Sequence, residues 1–298
     1  MASLREIKDR IGSVKSTLKI TSAMKLVASS KLRKAQKAVE NMRPYEEELS
    51  KILTALVQSS DGVSTPGGLS AADHLVSSGC KEALGPSEDC KEIAVVAISS
   101  NSSLCGGFNA NVIKKTLETV SELESKGIKV TVYSLGRKMA EAMKKAGHPS
   151  ADYSQFVARP SYDEALKIAG EILDDNSEAL LVYNHFVTTA KQTVVVEPWR
   201  TEEKAEKEDP EESREEEYIV EPGKEEVLEK LGPQVMMLKF YAAVLDSVAA
   251  EHAARTIAMQ TASDNAQDLL AELTLEYNKG RQQKITAEIL DLVGGISE

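Results

Sequence analysis

Apolar residues recur at alternating spacings of three and four along the first fifth of the chain. Sixteen positions from Leu4 to Leu56 follow this spacing, and thirteen of them are apolar. The exceptions are Thr21, Lys25 and Glu46. A sustained repeat of this kind is the seam of a coiled coil, in which one helix packs along another. The pattern therefore predicts a long helix over residues 1–57.

One stretch of this helix is apolar around most of its circumference, and we call residues 20–28 the collar. Its apolar members are Ile20, Ala23, Met24, Leu26, Val27 and Ala28. A helix that is apolar on most sides is enclosed by protein on several sides. A single partner helix buries only one stripe, so the collar predicts contact with a further protein surface.

A second long helix is predicted over residues 234–298, with Pro233 marking its start. No proline follows, and Gly280 is the only glycine before Gly294 and Gly295. Its predicted seam contains Leu238, Tyr241, Leu245, Val248, Met259, Ala262, Ala266, Leu269 and Leu273, and His252 and Arg255 interrupt it. At about 1.5 Å per residue the two helices approach 80 and 90 Å, and their simplest partner is each other in antiparallel pairing.

The C-terminal end of this second helix changes character after Tyr277. A polar and cationic stretch, 278–284, includes Arg281 and Gln282. A new apolar stripe then contains Ile285, Ile289, Leu292 and Ile296. An exposed apolar end promotes aggregation unless another protein covers it. We call residues 281–298 the tip and predict that it contacts a partner.

Strands and helices alternate between the two long helices. The predicted strands are 92–99, 128–134, 179–186 and 192–199, and the predicted helices are 110–127, 137–148 and 161–175. This alternation predicts a small α/β domain with a largely parallel sheet over residues 92–199. The Gly- and Ser-rich segment 58–91 and the acidic segment 200–233 are predicted to be loops or linkers. The fold class is therefore α/β: a long antiparallel coiled coil of the N- and C-terminal helices with an inserted Rossmann-like head domain.

The net charge of -11 conceals a strong asymmetry along the chain. Residues 1–43 carry 11 basic and 3 acidic side chains, whereas residues 200–230 carry 6 basic and 14 acidic ones. The basic first helix is compatible with nucleic-acid phosphates, with a solvated coiled-coil face, or with acidic loops of an enclosing protein. The pattern alone does not separate these three interpretations.

The loop after the first predicted strand contains Leu104, Cys105, Gly106 and Gly107. It has neither GxGxxG nor GxxxxGK[ST], so we interpret it as a tight strand-to-helix turn that needs both glycines and not as a nucleotide site. Cys105 has no histidine within sequence reach that would activate it as a nucleophile.

The remaining chemistry is sparse, and it predicts a protein that is not an enzyme by itself. The three cysteines form no CxxC pair, the four histidines lack metal-ligand spacing, and no two carboxylates are arranged for acid–base catalysis. We expect no cofactor, no metal and a reduced cytosolic compartment. The chain also has no apolar run of about 18 residues, so any membrane association is expected to occur through a partner.

Two long segments and one short one resemble the gamma subunit of rotary F-type ATP synthases of the bacterial type. They are KITSAMKLVASSKLRKAQ at 19–36, the stretch AAEHAARTIAMQ to DLVGG at 249–295, and SLCGGFN at 103–109. Glu221 and Pro222 resemble the family's approach to its last helix. The chain departs from the family at Asn101, Ser102 and Ser103, where an Asp-Arg-Gly run is usual, and at Ile296, where the family has alanine.

The resemblance implies a rotor shaft that stands inside a ring of alternating alpha and beta subunits. The head would sit with the epsilon subunit on a membrane-embedded c-ring, at the cytoplasmic face of the bacterial plasma (inner) membrane. Proton flow would turn the shaft, and the catalytic sites would lie in the beta subunits. Six residues match or neighbour the ring contacts: Met24, Lys25, Arg281, Gln282, Ile285 and Ile289. Membrane contact is expected only through the c-ring, and no nucleic acid is expected.

Two other classes of protein also fit part of the pattern. A coiled-coil scaffold or tether explains both seams but not the collar. A nucleic-acid-binding coiled coil explains the basic first helix but not the apolar tip.

Overall fold

A computed structural model describes residues 3–58, 92–150, 153–175, 178–199, 220–221 and 223–294. The long helices are α1 (Leu4–Gln58) and α6 (Lys224–Gly294). The strands are β1 (Glu92–Ile98), β2 (Lys129–Leu135), β3 (Glu178–Phe186) and β4 (Gln192–Pro198). The shorter helices are α2 (Phe108–Ser125), α3 (Arg137–Ala146), α4 (Ser154–Ala158) and α5 (Tyr162–Asp175). Most of the predicted linkers 58–91 and 200–233, and residues 295–298, lie outside the described residues.

The two long helices pair in antiparallel orientation, as predicted. Leu4 lies beside Gly280, and Ser263 donates a hydrogen bond of 2.8 Å to the hydroxyl of Thr21. All sixteen seam positions of α1 are buried or half-buried. Thr21 is tolerated in this apolar seam because its hydroxyl group donates to the Leu18 carbonyl at 3.1 Å and accepts from Ser263, which compensates for its lost solvation. The coiled-coil prediction for α1 is therefore confirmed.

The predicted start of α6 is wrong. The helix begins at Lys224, and Pro233 lies inside it rather than at its first turn. Proline removes one intrahelical hydrogen bond, which is why the sequence suggested a boundary there. Leu228, one turn before the proline, is buried, so tertiary packing favours a continuous helix through Pro233.

The predicted seam of α6 is correct only in part. Leu238, Leu245, Met259, Ala266 and Leu273 are buried. By contrast, Tyr241 and Val248 pack against the core of the head, and Leu269 is exposed. The periodicity finds the apolar positions of a helix, but it does not say which of two neighbours each position faces.

The head contains a four-stranded sheet in the order β2-β1-β3-β4. β1 pairs in parallel with β2 and β3, whereas β4 is an antiparallel edge strand, so the prediction of a largely parallel sheet is confirmed. The chain leaves β1 toward β2 and later returns to β3 on the other side of β1. The carboxyl ends of β1 and β3 therefore form a topological switch point, where sheets of this kind bind ligands.

The head is attached to the shaft through an aromatic core. Trp199 and Phe240 are fully buried with ring centroids 5.0 Å apart, and Phe156 stacks on Phe240 at 6.1 Å. The Trp199 indole also donates a hydrogen bond of 2.8 Å to the Met236 carbonyl. Phe156 belongs to α4, which the sequence did not predict because five residues are too few to show a helical period.

Candidate functional site

The collar is covered by α6 along one edge only. Ala28 is buried, and Met24 and Lys25 are half-buried. The exposed fractions of Ile20, Leu26 and Val27 are 60%, 71% and 58%. Three large apolar side chains within little more than two helical turns therefore form an exposed patch on α1. The prediction that a single partner helix does not bury the whole collar is therefore confirmed.

A groove lies between the collar and α6. It has a volume of about 240 Å³ and is lined by Ala23, Met24, Val27, Ala28, Lys31, His252 and Arg255. Burial, together with the neighbouring cations of Arg255 and Lys31, lowers the pKa of His252 to about 4. The imidazole is therefore neutral at pH 7, and its buried Nδ1 atom has no hydrogen-bond partner among the described residues.

The described part of the tip is a single helix that extends past the N-terminus of α1. Residues 281–290, which include Arg281 and Gln282, are all exposed. Ile285 and Ile289 are 46% and 54% exposed, and Leu290 is 64% exposed. The side chain of Leu292 and all of Ile296 lie outside the described residues. The tip is thus an exposed apolar and cationic surface that α1 does not shield.

The structure does not bring the two groups of predicted ring contacts together. Pairing of Leu4 with Gly280 and of Thr21 with Ser263 places Lys25 opposite residue 259. From there, 22 residues of α6 lead to Arg281, which is about 33 Å along the helix axis. Met24 and Lys25 therefore form one level of the shaft, and Arg281 and Gln282 form another.

The head loop is a turn, but only one of its two glycines is required by the backbone. Gly106 has a φ of 59°, which favours glycine, and Leu104 has a φ of 68°. Gly107 has a φ of -80° at the N-cap of α2, a conformation open to any residue. The predicted need for glycine is confirmed at Gly106 and wrong at Gly107.

The buried side chains of the head loop pack against α6. Cys105 and Phe108 form a small apolar cluster with Ala250, and Phe186 and Ala254 lie against it. The Cys105 thiol has Asn109 Nδ2 at 3.2 Å and the Ser100 hydroxyl at 3.8 Å. Cys105 is thus a packing residue. Because Ala250 and Ala254 of α6 pack against this loop and against Phe186 at the end of β3, the chain itself covers the switch point where a nucleotide would bind.

Two further polar contacts between the head and α6 were not predicted. His185 Nδ1, near the end of β3, lies 2.6 Å from Asp246 Oδ2, and the Phe186 amide donates to Asp246 Oδ1 at 3.2 Å. Burial raises the pKa of Asp246, and the hydrogen bond from His185 opposes this shift. The second contact is a hydrogen bond of 2.8 Å from Arg255 to the Ser102 hydroxyl. The only feature of the sequence that could have indicated these contacts was the interruption of the apolar seam by Arg255.

The described residues contain neither of two features that would suggest another class. No helix among them is long and apolar enough to cross a membrane. Across the same ranges, no group of three or more His, Cys, Asp or Glu side chains could hold a metal ion.

The fold and these surfaces define a class of protein: a two-helix shaft with a small α/β head and exposed apolar surfaces along the shaft. Residues 3–297 match the family model described as ATP synthase. The chain is 44% identical to the ATP synthase gamma chain of Phocaeicola vulgatus, and the match covers 99% of each chain. It is 45% identical to that of Bacteroides fragilis with the same coverage. The chain belongs to the ATP synthase gamma-chain family.

Solved structures of low sequence identity share the fold. The rotor of the Euglena gracilis mitochondrial ATP synthase has a TM-score of 0.60 at 19% identity, covering 95% of this chain and 98% of that one. A chain from the OSCP/F1/c-ring structure of the same enzyme has a TM-score of 0.64 at 18% identity, covering 99% and 93%. As a gamma chain, the protein is a non-catalytic subunit with a central-stalk role in F-type ATP synthase, whose catalytic sites lie in the beta subunits.

Proposed function

We propose that this chain is the rotor shaft that couples proton-driven rotation of a c-ring to ATP synthesis or hydrolysis. Its collar and tip would face a ring of alternating alpha and beta subunits. One observation carries this proposal: α6 continues past Leu4 as a single helix with Ile285 and Ile289 exposed. A free chain gains nothing by exposing such a surface, whereas a surrounding protein can bury it.

The two levels of contact would act together. Moving a site between two states from about 1:99 to 99:1 needs roughly 5.5 kcal/mol of differential interaction. A hydrogen bond to a charged group contributes about 1.5 to 3 kcal/mol. Contacts of Arg281 and Gln282 at the tip would therefore be supplemented by those of Met24 and Lys25 about 33 Å away along the helix axis.

The asymmetry of the shaft gives these contacts their effect. α1 covers only one side of α6, so a threefold ring would meet a different surface at each catalytic site. Each beta subunit would then be held in a different state as the shaft turns. The basic side chains of α1 would face acidic loops of the ring, which is the third interpretation of its charge.

The head would sit at the other end of this assembly, against the epsilon subunit and the c-ring. This arrangement places the chain at the cytoplasmic face of the bacterial plasma (inner) membrane, where it would be peripheral and reach the lipid only through the c-ring. The bacterial relatives at 44 and 45% identity support this location. In this role the chain would not contact nucleic acid.

The test is to co-express the chain with the alpha and beta subunits of its enzyme and to compare three variants. Truncation after Lys284 should weaken retention in the ring, because it removes Ile285 and Ile289, and should leave the head folded. Arg281→Ala and Gln282→Ala should each reduce coupling only in part, since the contacts are distributed. Glu276→Ala, also at an exposed position of α6, is the control.

Three results would contradict the proposal. They are full retention of the truncated chain in the ring, unfolding of the head by the truncation, or complete loss of coupling from either single alanine variant. If the free chain instead bound DNA in a salt-dependent way and formed no ATPase complex, a nucleic-acid-binding coiled coil would be favoured.

A further inference from the structure

The contact between the head and α6 has two parts of different character. Around Phe240, large aromatic side chains interlock with the head. About three to four turns further along α6, Ala250 and Ala254 meet Cys105 and Phe108 of the head loop. Small apolar side chains offer a smooth surface, and hydrophobic contact has no preferred direction. Apolar packing alone therefore does little to stop this part of the helix from turning against the head.

Directional contacts flank the smooth surface. Asp246 is bonded to His185 and to the Phe186 amide, and Arg255 is bonded to Ser102. At about 100° per residue, Asp246 and Arg255 lie roughly 180° apart around α6, with Ala250 and Ala254 between them. Each contact resists rotation of α6 in either sense, because hydrogen bonds weaken steeply when they are misaligned.

The side chain of Arg255 is held in place by a residue of its own helix. Glu251 accepts a hydrogen bond of 2.6 Å from it, and the two side chains are only 11% and 12% exposed. An ion pair in such a shielded position is weakly screened by salt. The guanidinium is therefore fixed with its second nitrogen directed at Ser102, instead of moving freely at the surface.

We propose that Asp246 and Arg255 are positioning residues that fix the angular register between the shaft and the head. They transmit torque across the smooth part of the contact. This inference rests on the proposed rotor function, since only a shaft that turns under load needs such a link.

The experiment uses the complete ATP synthase containing variants of this chain. Ser102→Ala removes the hydroxyl that Arg255 binds, and Asp246→Asn removes the charge opposite His185. Ser103→Ala, in the same exposed loop, and Asp264→Asn, whose partner Gln260 is on the same helix, are the matched controls. The measurements are the rate of ATP hydrolysis, the proton pumping that it drives, and the angular spread of a bead on the head while the ring is immobilised.

We expect the variant that combines Ser102→Ala with Asp246→Asn, the double variant, to hydrolyse ATP at the wild-type rate while its angular spread increases. The increase should be larger than that of either single variant, because both directional contacts are then weakened or lost. Proton pumping per ATP should fall, and the single variant Ser102→Thr, which keeps a hydroxyl for Arg255, should have the angular spread of the wild type. Both controls should behave as the wild type does.

An unchanged spread and normal pumping in the double variant would overturn the inference while leaving the rotor function intact. Loss of hydrolysis together with pumping would overturn it as well, because that result indicates general damage and not loss of register. Failure of the wild-type chain to rotate in the ring would instead overturn the proposed function. Ser102 is exposed, so the single Ser102→Ala variant tests the link without endangering the fold.

Discussion

Several polar side chains at the inner surfaces of the shaft are matched to a specific neighbour. Thr21 meets Ser263 in the seam, and Arg255 reaches the head loop at Ser102. His252 differs, because its Nδ1 is buried without a hydrogen-bond partner among the described residues and its pKa is lowered to about 4. A buried group that stays neutral makes the stability of the chain sensitive to pH.

The free chain should therefore lose stability as the pH falls from about 6.5 to about 4. Between these values the unfolded chain binds a proton at His252 that the folded chain does not, so protonation favours unfolding. His252→Gln should reduce this part of the pH dependence, as measured by urea unfolding at a series of pH values. His148→Gln, which replaces a half-buried histidine of the head, is the control. Equal pH slopes for the wild type and His252→Gln would contradict the explanation.

At the scale of elements, α6 changes environment at Gly280. This residue lies beside Leu4 at the start of α1, and every residue from 281 to 290 is exposed. A Cβ atom at Gly280 would meet Leu4 Cδ2 at 3.1 Å, a contact that the end of a flexible side chain can relieve. Gly280 therefore marks the point where the paired shaft becomes a single helix.

Gly280→Ala should stabilise the free chain, though less than the ordinary gain of about 0.5 to 1 kcal/mol for glycine to alanine in a helix. The gain comes from helix propensity, and the displaced Leu4 side chain offsets part of it. Gly12→Ala is the matched control, because a Cβ atom at that position of α1 has no other atom within 4 Å. Urea unfolding followed by circular dichroism gives both values. Destabilisation by Gly280→Ala would show that the two helices cannot adjust at this point.

At the scale of the whole molecule, the exposed collar residues affect folding and assembly differently. Leu26 and Val27 are among the most exposed large apolar residues of the described chain, so they contribute little to the stability of the free protein. In a complex, full burial of such side chains is worth about 1.5 to 3 kcal/mol each. The same residues can therefore be neutral for folding and important for binding.

Leu26→Gln combined with Val27→Gln should change the free energy of unfolding of the free chain by less than about 0.5 kcal/mol. Its affinity for the alpha–beta ring should fall at least ten-fold, which corresponds to about 1.4 kcal/mol. Leu117→Gln, on the exposed side of the head, is the control for a lost surface leucine. The measurement is retention of labelled chain by the ring at increasing dilution. Unchanged retention would remove the collar from the contact surface.

Much of the fold was predictable, because it follows from local periodicity. The seam of α1 and the four strands were found within a residue or two, since a long 3–4 repeat and short buried apolar runs are strong signals. The start of α6 was not, because burial of Leu228 outweighs the cost of Pro233 inside the helix. α4 was missed because Phe156 and Val157 are held by burial and show no period.

The sequence by itself determined most of the elements, the antiparallel shaft, the resemblance to the gamma-chain family and the apolar character of the collar and tip. Only the tertiary structure decided which neighbour each apolar position faces, as for Tyr241 and Val248 on the head. It also placed the collar and tip at separate levels and brought Asp246 and Arg255 to the head across long stretches of chain. The physical reason is that periodicity is a property of neighbouring residues, whereas burial and pairing depend on residues far apart in the sequence.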